Sequence, residues 1–331
     1  MTNRLREAVA AFTFEKNSMK AKQLKKLQHR QAGFTLLELL VVITLIATLA
    51  TAALVAYDGI GDSAQATAAS NSTATADGAI RNYRAVTQKF PDQWDNLVVG
   101  AGASAGSAPA FMATVTAEKF ANWTLPASAT TFRGALDDAM TAVNITEIQE
   151  RAVATTTAGV EPNLQHNEGA VQNNGDAVEN DWDAITNVAI LPTFGTAACS
   201  VNGTALGAKL DGSAMTALDD GNRQNVINDS LENNQCNLVI ALGFGHDAAH
   251  STSNSSVAIS TAPTFVSKNI NPATNYARYI ALFHVGQDAG NSTTRDNNIT
   301  DAELFTKPRL LAVVDTEGRM IDENIADQNP N

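Results

Sequence analysis

Gly33-Phe-Thr-Leu-Leu-Glu38-Leu-Leu-Val-Val-Ile-Thr-Leu-Ile-Ala-Thr-Leu-Ala-Thr-Ala-Ala-Leu-Val-Ala56 decides how the rest of the chain is read. From Phe34 to Ala56 its 23 residues include one ionisable side chain, Glu38. At about 1.5 Å of rise per residue, an α-helix of that length crosses the ~30 Å hydrocarbon core of a bilayer. The stretch therefore reads as a membrane helix, and its lone carboxylate is the informative feature. A charge inside such a segment costs roughly 2.5 to 3.5 kcal/mol on insertion scales and persists where it finds a partner. No basic residue lies within the segment. A cut between Gly33 and Phe34 creates a cation: the new α-amine starts the same helix, four residues before Glu38, and is available to the carboxylate of a neighbouring copy.

Residues 1–33 carry eight Lys and Arg (Arg4, Arg6, Lys16, Lys20, Lys22, Lys25, Lys26, Arg30) against Glu7 and Glu15, a net of +6. The positive-inside rule keeps this leader cytoplasmic. A secretory signal peptide has its cleavage site after the apolar region; here the candidate Gly33 precedes it, so the apolar segment survives processing. Both acids lie before Met19, which leaves Met1 and Met19 as alternative starts.

A basic leader, then Gly33-Phe34-Thr35-Leu36-Leu37-Glu38, then an apolar run resembles the precursors of type IV pilins and type II secretion pseudopilins. The resemblance implies that a prepilin peptidase cuts after Gly33 and N-methylates Phe34, and that Glu38 guides docking into a growing filament. It further implies a structural subunit, most simply a secretion pseudopilin. The implied partners are copies of the chain, minor pilins or pseudopilins, the inner-membrane assembly platform, and membrane lipid before assembly. The implied location is the inner membrane, single-pass with a periplasmic C-terminal domain, and later a periplasmic or extracellular filament. Similarity is strong over residues 20–57 and looser to Val99, where Tyr83, Phe90-Pro91 and an expected helical turn over Trp94–Val99 are like the major pseudopilins. Two alternatives stay open: a large minor pilin with an adhesive or substrate-contacting domain, and a single-pass anchor displaying a periplasmic binding or enzymatic domain.

Beyond the span, Ile60, Ala64, Ala68, Ser72, Ala76, Ile80, Tyr83 and Val86 recur at three- or four-residue steps, the period of an amphipathic helix with a narrow face of small residues. Pro91 ends it. Downstream, the pattern predicts a helix over 132–153 and strands over 184–191, 237–244, 277–285 and 309–315. A turn at Glu317-Gly318 and a short return over 319–321 follow. The Gly- and Ala-rich residues 100–110 read as a flexible loop. The expected fold is α+β: a long N-terminal helix, half membrane-spanning and half amphipathic, packed on a mainly antiparallel β-sheet. Its expected parts are a cleaved leader at 1–33, the span at 34–56, the amphipathic continuation at 57–90 and a globular domain at 91–331.

From Phe34 onward the chain has 14 Lys and Arg against 32 Asp and Glu, a net of −18. That excludes nucleic-acid binding through a general basic surface. Gly-x-Ser-x-Gly occurs at Gly102–Gly106, inside the low-complexity loop, and a phosphate-binding loop and Cys-x-x-Cys are absent from the sequence, so no enzyme is expected. Cys199 and Cys236, both placed outside the cytoplasm, suit a disulfide; two buried thiols are the alternative. Asp288, Asn291, Asp296, Asn298, Asp301 and Glu303 carry oxygens suited to calcium, which major pseudopilins often hold in a C-terminal loop. Asp288, Asp296 and Asp301 are the candidate ligands, although their spacing is not that of an EF-hand. No other cofactor is expected, and His246 with His250 forms a weaker zinc-like pair.

Overall fold

The computed structural model describes residues 35–91, 94–100, 105–109, 112–125, 130–151, 177–192, 199–205, 209–213, 227, 231, 236–244, 270, 275–289 and 295–326, with scattered positions between 3 and 13. The chain divides into two units, Met1–Gly61 and Asp62–Asn331.

Helix α1 runs Leu36–Thr87. Thr35 opens it, its Oγ1 accepting the Glu38 N–H at 3.2 Å, which satisfies one of the orphan donors of a helix start. Thr44, Thr48 and Thr51 turn their hydroxyls onto the carbonyls of Val41, Leu45 and Ala47 at 2.9, 2.9 and 2.6 Å. That is how threonines are tolerated in an apolar run: each polar group closes on the helix's own main chain. The helix stops at Gln88, which takes φ 61°, so it ends ahead of Pro91.

The second unit is built on one eight-stranded sheet. Its strands are β1 (Trp94–Val99), β2 (Ala121–Thr124), β3 (Glu147–Arg151), β4 (Ala177–Asp181), β5 (Asn187–Ile190), β8 (Asn237–Phe244), β9 (Tyr279–Gln287) and β11 (Leu304–Val314). The order is β11-β9-β8-β1-β3-β4, with β5 also pairing β8 and β2 pairing β5. A second, three-stranded sheet has the order β10 (Asn298–Ile299), β6 (Ser200–Val201), β7 (Thr204–Ala205). Helices α2 (Thr114–Ala117), α3 (Thr130–Thr141) and α4 (Ile321–Ala326) and a 3-10 turn at Asp301–Glu303 complete the described elements.

The central strands are buried throughout, and their side chains alternate between two cores, as the period-2 geometry of a strand requires. Leu238, Ile240, Leu242 and Phe244 of β8 join one cluster with Ala69, Ala76 and Ile80 of α1 and Phe132, Leu136 and Met140 of α3. Val239 and Ala241, with Ile280 and Leu282 of β9, join the other, with Leu97, Met112 and Phe120. Trp94 stacks edge-on against Phe244 and Phe283 at 5.2 and 5.1 Å, and Phe90 against Phe283 at 5.1 Å. These geometries favour the ring quadrupoles and anchor β1 to the sheet centre.

Several expectations need correction. The sheet is mixed: β1 and β3 run parallel, with Trp94 opposite Ile148. The helix expected over 132–153 stops at Thr141, because Asn144 takes φ 70° while the N–H groups of Asn144 and Ile145 donate to Thr141 and Met140. That is a left-handed C-terminal cap, after which the chain continues as β3. Trp94–Val99 is a strand and not a helical turn, in keeping with its Trp and paired Val. The return at 319–321 leads into helix α4. The helix face is rotated: Ala69, Thr73, Ala76, Ala79 and Ile80 are buried, whereas Val86 is 79% exposed and Ala64 and Ala68 are exposed.

Two buried titratable groups sit on β9 and just past β11. Burial, reinforced by the Arg309 guanidinium, pushes the His284 ring down to about 4 from 6.5; Arg309 Nη2 donates to its Nδ1 at 2.9 Å. Burial pushes Asp315 up to about 6 from 3.8, against the Asn324 amide and the Arg319 and Glu317 N–H groups that bind its carboxylate. The two act in opposite senses. The unfolded chain protonates His284 first, so the stability this histidine contributes above 6.5 is lost as pH falls toward 4; the folded chain protonates Asp315 first, so its contribution is lost as pH rises from 3.8 through 6. Each slope is on the order of 3 kcal/mol across its window. Denaturant unfolding of the detergent-solubilised protein between pH 4 and 6.5 should show His284→Gln gaining stability on acidification relative to the unaltered chain, and Asp315→Asn losing it. Slopes unmoved by either change would contradict this assignment.

Candidate functional site

The feature with an unmet physical requirement is the first half of α1. Leu36–Val55 is a 20-residue stretch long and apolar enough to cross a membrane, and none of it is buried within the chain. Leu36, Leu37, Ile43, Ile46, Leu49 and Leu54 are between 57 and 83% exposed. Glu38 lies in the first helical turn and is exposed. Its carboxylate therefore stands where the helix dipole favours negative charge, which the sequence pattern alone did not separate from a docking role. Gly33 and Phe34, the expected cleavage site, lie outside the described residues.

Cys199 and Cys236 are bonded, with Cα atoms 5.7 Å apart. The bond ties the start of β6 to the start of β8, so the small sheet is stapled to the large one. A two-residue turn at Asn202-Gly203, with φ of 47° and 76°, closes β6 onto β7; Asn-Gly is the sequence signal for such a turn, and it went unread.

The calcium candidates fall in the same region. Asp288 is buried, with Oδ2 accepting the Asn297 N–H at 3.0 Å. Asp296 Oδ1 accepts the Asn298 N–H at 3.0 Å, and Asp301 Oδ1 the Ala302 N–H at 3.1 Å. Glu303 binds the N–H groups of Ala289 and Thr300 at 3.0 and 2.9 Å. Each carboxylate is thus turned to a different piece of main chain, and among the described residues no three His, Cys, Asp or Glu are grouped to hold a metal ion. Asn291, His246 and His250 lie outside the described residues.

Two buried polar clusters were not anticipated. Asp95 Oδ2 accepts from Tyr276 Oη at 2.6 Å and Arg278 Nη1 at 2.8 Å. Glu150, whose carboxyl burial pushes up, takes the amides of Asn180 and Asn96 at 2.9 and 3.0 Å. Asn96 in turn donates to the Asn187 carbonyl at 2.8 Å, where β1 and β5 both lie beside β8. The buried Asp95 and Glu150 carboxylates are each met by these donors, as buried polar atoms require.

Residues 28–54 match the family model of the prokaryotic N-terminal methylation motif. With an apolar helix on the same residues, this motif fits a type IV pilin or pseudopilin. The match ends before the second unit begins. Comparison with curated proteins finds no match, and comparison with solved structures finds none.

The disulfide closes a sequence separation of 37 residues, worth roughly 4 kcal/mol on the chain-entropy account. Cys199→Ser with Cys236→Ser should lower the denaturation midpoint accordingly. Alkylation of the denatured, unreduced chain should label neither cysteine, and labelling of both would refute the bond.

Proposed function

We propose that the chain is a structural, non-catalytic subunit of a type IV pilus-like filament, assembled through its apolar N-terminal helix after cleavage between Gly33 and Phe34. The observation that carries this reading is the exposed 20-residue apolar face of Leu36–Val55 directly within the methylation motif. Within that class one reading is a type II secretion pseudopilin, inserted in the inner membrane with the second unit periplasmic. The size of Asp62–Asn331 supports a second reading, a large minor pilin presenting a substrate-contacting domain. The strand at Trp94–Val99 removes the expected helical turn that had favoured the secretion reading.

In this account Glu38 pairs with the N-methylated amine of a neighbouring copy. The two charges attract far more strongly in an apolar packing than in water. Mass spectrometry of the membrane-extracted protein should find an N-methylated Phe34 at the N-terminus. Glu38→Leu removes a desolvation cost, so membrane insertion is retained, while entry into sheared filaments falls at least tenfold. Wild-type filament levels of Glu38→Leu, or an intact leader on the assembled protein, would favour a simple anchored domain.

A further inference from the structure

The second unit carries two patches of opposite sign. Arg81, Arg84 and Lys307 rim a groove of roughly 520 Å³ whose floor includes Ala142, Val143 and Leu310. A neighbouring recess shares Lys307 and adds Arg309. Four of the 14 Lys and Arg that follow Gly33 are thus gathered at one place on a chain of net −18. Asp77 offsets Arg81 at 2.7 Å. Arg84 lies 4.6 Å from the centre of the Phe90 ring, and Arg309, over the Phe305 ring at 5.2 Å, donates to Nδ1 of a His284 ring that is neutral at pH 7. The groove therefore keeps a net positive charge, with Ala142, Val143 and Leu310 in its lining.

The acidic patch gathers Asp137 and Asp138 of α3, Asp181 at the end of β4 and Asp183 just past it. These carboxylates repel: Asp137 is raised by burial first, then by the charges of Asp183, Asp138 and Asp181. Arg133 donates to the main-chain carbonyls of Asp183 at 2.7 Å and Leu125 at 3.5 Å. A cation brought from outside would relieve this repulsion.

We propose that the two patches meet between copies of the chain, the Arg81, Arg84, Lys307 and Arg309 groove of one copy receiving the Asp137, Asp138, Asp181 and Asp183 patch of the next, a contact that rests on the filament reading. When the pairing is head-to-tail and not a closed two-fold exchange, every copy offers one surface and accepts the other. Such contacts propagate into open series, as a filament requires. At physiological salt the Debye length is about 8 Å, so the patches act at contact range. Exposed pairs are weak singly and matter as a network, with guanidinium forks suited to carboxylates.

The test co-expresses two differently tagged full-length copies with the assembly machinery, one Lys307→Cys and one Asp183→Cys, and oxidises intact cells. A disulfide-linked heterodimer is expected, several-fold more abundant than any Lys307→Cys homodimer. Arg81→Glu with Arg84→Glu in the Lys307→Cys copy should reduce it several-fold, and adding Asp137→Lys with Asp181→Lys to the other copy should restore it. That rescue separates lost contact from lost folding. A heterodimer no more abundant than the homodimer overturns the proposal, as does reversal without rescue. Scoring the sheared filaments in parallel separates the two claims: filaments without heterodimer refute this contact alone, heterodimer without filaments refutes the filament reading alone, and neither refutes both.

Discussion

The apolar surface of Leu36–Val55 is the constraint on which the remaining structure depends. Each Leu, Ile or Val left in water forgoes roughly 1.5 to 3 kcal/mol of burial, and no residue of this segment is buried within the chain. It must therefore sit in lipid or against other copies. In lipid there is no hydrophobic force to bring helices together, and association depends on close packing and polar contacts. The hydroxyls of Thr44, Thr48 and Thr51 are already closed onto carbonyls of their own helix. Glu38 is then the group in the span with the most to gain from a partner.

The later part of the same helix solves a different problem. Ala69, Ala76 and Ile80 join the core cluster that holds Phe90, Trp94 and Phe283, and Thr73 is buried with its hydroxyl closed onto the Ala69 carbonyl. β8 and β9 are buried on both faces, so this sheet has a core on each side. The disulfide fastens the small sheet to the start of β8, and Asp315 holds the turn beyond β11 through the N–H groups of Glu317 and Arg319.

Much of this was legible in the sequence where one residue type has one physical use. The span was plain from its length and lone charge, the strand over 237–244 from its continuous apolar run, and the cysteine pair from its even number and expected compartment. Failures came where local chemistry is ambiguous. Asn144 ends α3 only because it adopts a left-handed conformation, and nothing in its neighbours distinguishes that from a mid-helix Asn. The stripe on α1 was misaligned because many positions are Ala, Ser or Thr, so several faces look equally suitable. The parallel pairing of β1 with β3 joins residues about fifty apart, beyond the reach of a local pattern. The charge patches were invisible because Arg84 and Lys307, or Asp137 and Asp183, come together only after folding.

The measurement that bears most directly on the central claim is electron cryomicroscopy of material sheared from cells that express the chain with an assembly machinery. The account predicts filaments in which residues 36–55 of each copy pack against the same residues of neighbouring copies along the axis, with Glu38 facing the amine of Phe34 from an adjacent subunit. A chain found solely as a membrane-embedded monomer, its apolar helix facing lipid and its leader intact, would contradict it.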